Sequence, residues 1–199
     1  MSEVSGGKSA LRQSLRARLA GMSPEARHAK SVAACGLIAT TLEWQQAQYV
    51  MLYLSTPEEV DTAPLALRAW QTGKTVVVPR VSWDQKRMLP TEITSLTNGI
   101  THTGRGFREP EAGKPVPLDL IDMVIVPGLG FSLNGFRIGR GMGFYDRFLA
   151  QPGFMGLACG MAFEEQIVEN VPVLDHDIPL GMLVTDRQVK RFASCCIVK

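Results

Sequence analysis

Five short apolar segments recur along the chain, and segments of helical character separate most of them. The apolar segments are residues 47–54, 75–81, 123–131, 155–161 and 181–186. The second, TVVVPRV, is almost continuously apolar, as is expected of a parallel strand that is covered on both faces. Strands that alternate with helices favour a mainly parallel sheet with helices packed against it. The sequence therefore predicts one α/β domain over residues 1–199, a Rossmann-like three-layer sandwich.

The first helices have clear signals. In residues 8–20, Leu11, Leu15 and Leu19 recur every four residues and predict the buried stripe of an amphipathic helix. The Ser-Pro-Glu sequence at 23–25 is a typical helix start, with a capping hydroxyl, a proline in the first turn and an acid at the positive end of the helix dipole. We expect that helix to run to about Thr41.

Three further helices are predicted. One opens at Thr62 and Pro64 and stops before Gly73, one begins at FYDRFLA (144–150), and a short one covers EEQIVENV (164–171). Residues 82–120 follow no clear period and are rich in glycine and proline. We expect this middle third to be loop-rich, with room for a short hairpin at the sheet edge.

The segment GFRIGRGMGFYD (135–146) follows the third apolar strand and concentrates unusual residue types. It alternates glycines with two arginines and ends on an aspartate, namely Gly139, Gly141, Gly143, Arg137, Arg140 and Asp146. Glycine-rich backbone can point several N–H groups at one anion, guanidinium groups match phosphate oxygens, and a nearby carboxylate can hold Mg²⁺. This pattern predicts a polyphosphate site. The alternative on local sequence is a tight strand-to-helix turn with surface arginines.

Composition limits the classes of partner. The net charge is +2 with no long basic run, which gives no reason to expect nucleic acid and suits a small anionic ligand. No apolar run approaches the ~20 residues of a membrane span, and the N-terminal segment has no apolar signal region, so we expect a cytoplasmic protein. Cys35, Cys159, Cys195 and Cys196 have no metal-binding spacing and are predicted to be reduced, structural thiols.

Two sets of polar residues leave alternatives open. Lys8, Arg12 and Arg16 repeat along one helix face, which is either a solvated surface or, for the first two, a contact with an anionic ligand. His176 lies between two aspartates. It is either a base or metal ligand or, as we prefer, a capping or ion-paired histidine in a turn.

Five motifs in this order resemble the 5-formyltetrahydrofolate cyclo-ligase family, also called 5,10-methenyltetrahydrofolate synthetases, over nearly the whole chain. They are KSALR (8–12), EVDT (59–62), PGLGF with GRGMGFYD within 127–146, AFEEQ (162–166), and VP at 171–172 with HD at 176–177. The resemblance implies a ligase that cyclises 5-formyltetrahydrofolate to 5,10-methenyltetrahydrofolate. The implied reaction consumes ATP, requires Mg²⁺, releases ADP and phosphate, and passes through a phosphorylated formyl group. It also implies two small-molecule partners, the folate and ATP, and we expect a monomer.

The resemblance assigns roles to residues of this chain. The implied ATP contacts are Lys8, Ser9, Ala10, Leu11, Arg12, Arg137, Ile138, Gly139, Arg140, Gly141, Met142, Gly143, Phe144 and Tyr145. The implied folate contacts are Arg12, Leu54, Glu59, Arg140, Gly141, Met142, Gly143 and Phe144. Arg140 and Tyr145 are the implied catalytic residues, and Asp146 and Asp177 the implied metal ligands.

The chain departs from the family pattern at three positions. Ser132 stands where many members have an aspartate after the loop phenylalanine, and Phe144 replaces a tyrosine. Gly181 stands where many bacterial members have a later aspartate, so the metal assignment depends on Asp177. Two other classes remain as alternatives: a different phosphate-binding enzyme on a similar scaffold, and a folate- or nucleotide-binding protein without turnover.

Overall fold

The computed structural model describes residues 2–104 and 106–192. Its α-helices are α1 (Ser2–Ala20), α2 (Pro24–Ala39), α3 (Leu42–Gln46), α4 (Ala63–Gln71) and α5 (Phe144–Leu149). Its first six strands are β1 (Tyr49–Met51), β2 (Thr75–Ser82), β3 (Arg87–Ile93), β4 (Ile100–His102), β5 (Arg108–Pro110) and β6 (Met123–Val126). The remaining strands are β7 (Gly130–Ser132), β8 (Arg137–Ile138), β9 (Leu157–Met161), β10 (Ile167–Val168), β11 (Met182–Val184) and β12 (Val189–Arg191).

A seven-stranded sheet forms the centre, in the order β12-β11-β9-β6-β1-β2-β3. The five inner strands are parallel, and the edge strands β3 and β12 are antiparallel to their neighbours. The predicted α/β class with a mainly parallel sheet is confirmed. The chain builds β2 on one side of β1 and later places β6 on the other side. The strand order therefore reverses between β1 and β6, and open α/β sheets bind ligands outside the carboxyl ends of strands at such a point.

Helices cover both faces of this sheet. Leu15 of α1, Ile38 of α2 and Leu65 of α4 pack with the inward side chains of one face. Phe148 of α5 packs with Met51 and the other side chains of the opposite face. Because successive strand residues point to opposite sides, two buried faces require the nearly continuous apolar strands that the sequence contains. Among the described helices, none is both long and apolar enough to cross a membrane.

The first two helices follow their predicted signals. Ser23 caps α2, where its Oγ accepts a hydrogen bond from the backbone N–H of Ala26 at 3.2 Å. Leu15 and Leu19 are buried on α1. The second helix ends at Ala39, earlier than expected, because Thr41 caps a separate short helix, α3.

Two predicted elements differ in the structure. The apolar segment 123–131 is two strands, because the chain leaves the central sheet at Pro127 and β7 pairs with β8 and β10 instead. The helix predicted for EEQIVENV is wrong. That segment is a 3₁₀ turn over Glu164–Gln166 followed by β10, whose β-branched residues Ile167 and Val168 favour a strand.

The middle third holds more structure than expected. Strand β3 pairs with β2 over seven residues, from Val76 opposite Ile93 to Ser82 opposite Arg87, and β4 and β5 form a separate hairpin. Pro90 disfavours a strand in the sequence, but β3 is an edge strand, where a proline is tolerated. The other edge strand, β12, was also missed.

The two described cysteines are free and buried, as the sequence predicts. The Cys35 thiol donates to the carbonyl oxygen of Asp61 at 3.3 Å, and burial raises its pKa to about 12. Burial also raises the pKa of Cys159. Such thiols are poor nucleophiles at neutral pH. Cys195 and Cys196 lie outside the described residues.

Asp122 fixes the start of β1 against β6, and its removal is expected to destabilise the fold. Its Oδ2 accepts the backbone N–H groups of Gln48 and Tyr49 at 2.8 and 2.9 Å. We expect Asp122→Ala to lower the free energy of unfolding by about 2 kcal/mol, because two strand N–H groups lose their acceptor. Urea denaturation measures this change. Asp119→Ala, at an exposed carboxylate nearby, is the matched control, and equal losses in the two variants would contradict the assignment.

Candidate active site

A cavity of about 610 Å³ lies at the carboxyl ends of β1 and β6. Tyr53 and Leu54, which follow β1, and Pro127 and Gly128, which follow β6, form part of its wall. The cavity is therefore at the reversal of strand order, where this fold class binds ligands. Basic side chains and the glycine-rich loop line one part, here called the basic half. Apolar and aromatic side chains line the other, here called the aromatic half.

Helix α1 contributes two cations to the basic half. Lys8 and Arg12 are one helical turn apart, and both line the cavity. Lys8 is only 8% exposed, and its Nζ lies 2.5 Å from Oδ2 of Asp177. The Nε of Arg12 donates to the carbonyl oxygen of Gly139 at 2.9 Å. Arg16, the third member of the predicted stripe, is exposed and lies outside the cavity wall, as the solvated-surface interpretation expects.

Arg137 and Asp146 form the second ion pair of the basic half. Arg137 is 8% exposed, and its Nη2 lies 2.8 Å from Oδ1 of Asp146. Its Nη1 donates to the carbonyl oxygen of Ile178 at 2.9 Å, and the N–H of Ile178 donates to Asp146 at 3.3 Å. These bonds join the two ends of the glycine-rich loop to the segment that carries Asp177. The loop is therefore anchored at both ends.

The loop between these anchors contains backbone conformations that glycine adopts more readily than other residues. Gly141 and Gly143 have φ values of +103° and +63°, in the left-handed region that side chains rarely adopt. A Cβ on Gly141 would lie 3.6 Å from Cζ of Arg12, so the loop runs close to that guanidinium. Nη2 of Arg147 donates to the carbonyl oxygen of Met142 at 2.7 Å and holds the loop's outer side.

Asp146 and Asp177 are suited to bind a magnesium ion whose other ligands include phosphate oxygens. Each carboxylate uses one oxygen within the protein, because Oδ2 of Asp177 also accepts the N–H of Leu174 at 2.7 Å. The second oxygen of each has no hydrogen-bond partner in the described part of the chain, and both residues line the cavity. The described residues contain no cluster of three or more His, Cys, Asp or Glu that would hold a metal ion alone. Mg²⁺ commonly binds to one or two carboxylates and completes its shell with water and phosphate oxygens.

Glu59 and Arg140 meet where the two halves join. Oε2 of Glu59 accepts the backbone N–H of Thr56 at 2.9 Å, and its Oε1 lies 3.5 Å from Nη2 of Arg140. The Arg140 guanidinium also lies 5.8 Å from the centre of the Phe107 ring. Arg140 therefore contacts a carboxylate and an aromatic face, and it extends from the glycine-rich loop toward the aromatic half.

Tyr145 presents a protonated hydroxyl at this junction. Burial raises its pKa far above the usual range, and Glu59 raises it further while Arg137 opposes the shift. Tyr145 lines the cavity, and the described residues give its hydroxyl no hydrogen-bond partner. At neutral pH it is a hydrogen-bond donor rather than a base.

The aromatic half comes from β2, the glycine-rich loop and the middle third, and in the middle third the sequence predicted no site residues. Its wall consists of Pro79, Val81, Trp83, Met88 and Phe107, with Phe144 from the loop. The rings of Trp83 and Phe144 pack edge to face with centres 5.2 Å apart. The sequence signal for this half was a pair of bulky aromatic residues, Trp83 and Phe107, in a polar and irregular segment.

Most of the predicted site residues meet in this cavity, and some do not. Ser9, Ala10 and Leu11 lie on α1 between the two cations but do not line the wall, and Leu11 packs against the core. His176 lines the cavity, but the described residues give it neither an ion pair nor a hydrogen bond. Asp177, rather than His176, caps the turn, because its carboxylate accepts the N–H of Leu174.

Comparison with known proteins identifies relatives of similar length. The family model described as the 5-formyltetrahydrofolate cyclo-ligase family matches residues 4–186. The 5-formyltetrahydrofolate cyclo-ligase of Mus musculus is 31% identical over 88% of this chain and 91% of its own length. The 5-formyltetrahydrofolate cyclo-ligase of Escherichia coli K12 is 30% identical over 88% of this chain and 98% of its own length.

A solved structure agrees with these relatives. The NMR structure of the Aquifex aeolicus 5,10-methenyltetrahydrofolate synthetase superposes with a TM-score of 0.82 at 30% identity, covering 94% of this chain and 93% of that one. The family match, the identities and the shared fold extend over most of the chain. The chain therefore belongs to the 5-formyltetrahydrofolate cyclo-ligase family.

Proposed function

We propose that this enzyme cyclises 5-formyltetrahydrofolate to 5,10-methenyltetrahydrofolate and consumes ATP in an Mg²⁺-dependent reaction. The observation that carries the proposal is one cavity in which a half suited to phosphates adjoins a half suited to a flat, apolar ring system. Family membership supplies the folate substrate. The basic half, with its anchored glycine loop, supports ATP as the second substrate.

The reaction faces a simple chemical difficulty. The formyl oxygen on N5 is a poor leaving group, and N10 is a weak nucleophile. In the proposed sequence, the formyl oxygen attacks the γ-phosphorus of ATP, the bond to the bridging oxygen breaks, and ADP leaves. N10 then attacks the activated formyl carbon and loses its proton, the carbon–oxygen bond breaks, and phosphate departs. Positioning and charge stabilisation supply most of the catalysis in such a sequence.

The basic half would bind the triphosphate. Lys8 and Arg137 are buried cations, and Arg12 lies against the loop that contains Gly141. Guanidinium groups and loop N–H groups match phosphate oxygens, and a buried ammonium adds charge that water screens poorly. Ser9, Ala10 and Leu11 would support this half only through the helix that positions the two α1 cations.

Asp146 and Asp177 would hold the Mg²⁺, each through the oxygen that the protein leaves without a partner. The ion, when bound, neutralises phosphate charge. Arg137 and Lys8 pair with the other oxygen of each carboxylate and hold both side chains at the cavity wall.

The aromatic half would bind the pterin ring, with Leu54, Met142 and the aromatic side chains as apolar contacts. Glu59 would accept two parallel N–H bonds from the amino-pyrimidinone edge, as a carboxylate does with a guanidinium. Arg140 and the Tyr145 hydroxyl at the junction would stabilise the charge that develops on the transferred phosphoryl group and the formyl oxygen. The expectations of a monomer and of a cytoplasmic location stay predictions.

The first test is the absorbance of the methenyl-folate product. Purified protein is mixed with 5-formyltetrahydrofolate and Mg²⁺, with and without ATP. An ATP-dependent rise supports the proposal. A flat trace in a protein that binds both ligands would contradict it and favour the binding protein without turnover.

Asp146→Asn separates the metal role from the structural one. The asparagine oxygen can still accept from Arg137, so the melting temperature should stay within a few degrees of the wild-type value. We expect kcat to fall by about 100-fold or more, because a neutral amide is a poor Mg²⁺ ligand. ATP binding followed by calorimetry should also lose most of its dependence on Mg²⁺. Asp175→Asn, at an exposed neighbour of His176 outside the cavity wall, is the control. A fully active Asp146→Asn enzyme would refute the assignment.

Glu59→Gln tests the pterin contact. The amide replaces one acceptor oxygen with a donor, so we expect the KM for 5-formyltetrahydrofolate to rise about tenfold or more while the KM for ATP changes less than about twofold. Steady-state kinetics with each substrate varied measures both values. Glu58→Gln is a close control, because Glu58 lies 3.7 Å from the same arginine but does not line the cavity. Equal effects on the two KM values would argue against a pterin contact.

A further inference from the structure

Glu109 is a buried carboxylate in the aromatic half that the proposed reaction does not use. It is 8% exposed, which makes it the most buried acidic residue among those whose side chains the structure describes. It lies on β5 and lines the same cavity as Glu59. A carboxylate in such a position is costly unless hydrogen bonds or a cation compensate for the lost water.

The protein satisfies only one of its two oxygens. Oε2 accepts the backbone N–H of Val81 at 3.2 Å, whereas Oε1 is buried and has no partner among the described residues. No lysine, arginine or histidine in the described part of the chain forms an ion pair with this carboxylate. Such an atom calls for an explanation, and a catalytic or ligand-binding role is one of those known.

Several contacts link Glu109 to the predicted pterin contact. Phe107, two residues earlier, packs against Arg140, which in turn lies 3.5 Å from Glu59. Nη2 of Arg108 reaches the carbonyl oxygen of Ser55 at 3.5 Å, close to the turn that carries Glu59. The terminal torsion of a glutamate is broad, so the carboxylate can turn its second oxygen toward the cavity.

The chemistry of a reduced pterin supplies the missing donor. If Glu59 accepts hydrogen bonds from the 2-amino group and N3–H, the ring still carries one N–H on its other side, at N8. A tetrahydropterin has a hydrogen on N8, whereas a fully oxidised pterin has a lone pair there. A carboxylate oxygen accepts from the first and repels the second.

We infer that Glu109 is a specificity-determining residue of the folate site. This inference takes its substrate from the proposed function. Oε1 of Glu109 accepts the N8–H of the tetrahydropterin ring and thereby selects reduced over oxidised folates. This contact lies on the opposite side of the ring from that of Glu59. The two carboxylates together fix the ring in one orientation.

Glu109→Gln tests this inference, because its amide oxygen can keep the Val81 bond while an NH₂ donor replaces Oε1. Binding of 5-formyltetrahydrofolate and of folic acid is measured without ATP by quenching of tryptophan fluorescence, so that the result does not depend on turnover. We expect the affinity for 5-formyltetrahydrofolate to fall about tenfold or more, and the preference for it over folic acid to shrink by a similar factor. ATP affinity and the melting temperature should stay near the wild-type values. Glu111→Gln, exposed and two residues further along, is the matched control.

A preference between the two folates that is unchanged in Glu109→Gln would overturn the inference, whatever happens to overall affinity. Glu109→Met is the second variant, since it removes both oxygens at similar length. A purely structural role predicts that this variant is destabilised but keeps the wild-type preference between the folates, and this result would also overturn the inference. Failure of the wild-type enzyme to form the methenyl product would count against the proposed function, and the binding comparison would still decide the role of Glu109.

Discussion

The parallel pairing of β1 with β6 is the constraint on which the site depends. It places two turns side by side although their residues are far apart in the chain: the turn after Leu54, which carries Glu59, and the turn after Pro127, which leads to the glycine-rich loop. Neither turn alone forms a cavity. The buried apolar strands that hold this pairing therefore also determine which polar groups face each other.

The ion pairs of the basic half stabilise the protein, and their side chains are also the groups that would bind its ligand. Lys8 and Arg137 are buried cations, and each has a carboxylate as its partner. Breaking such a pair by removing one partner is costly because it leaves a buried charge uncompensated. The four side chains of the two ion pairs therefore contribute to both the shape and the charge of the site around the loop. Variants here need the conservative substitutions that keep a hydrogen-bond partner in place.

The sequence predicted the features that depend on local or repeating patterns. The stripe containing Leu15, the cap at Ser23 and the glycine-rich loop are of this kind, because their signals lie within a few residues of one another. Strand β3 was not predicted although its partner β2 is its neighbour in the chain, because Pro90 disfavours a strand. The aromatic half could not be predicted, since its residues come from separate parts of the chain. Pro90 is acceptable only because its strand is at a sheet edge, and Glu109 is unusual only because the fold buries it. Neither fact is encoded in the neighbouring residues.

The pair formed by Lys8 and Asp177 joins positions separated by 169 residues. Bringing such distant positions together costs conformational entropy, and the ordered sheet between them lowers that cost. During synthesis, α1 emerges long before Asp177 exists, so its cation has no carboxylate partner until almost all of the chain described here has been made. This pair of the basic half can therefore be completed only after the strands that form most of the sheet have been synthesised.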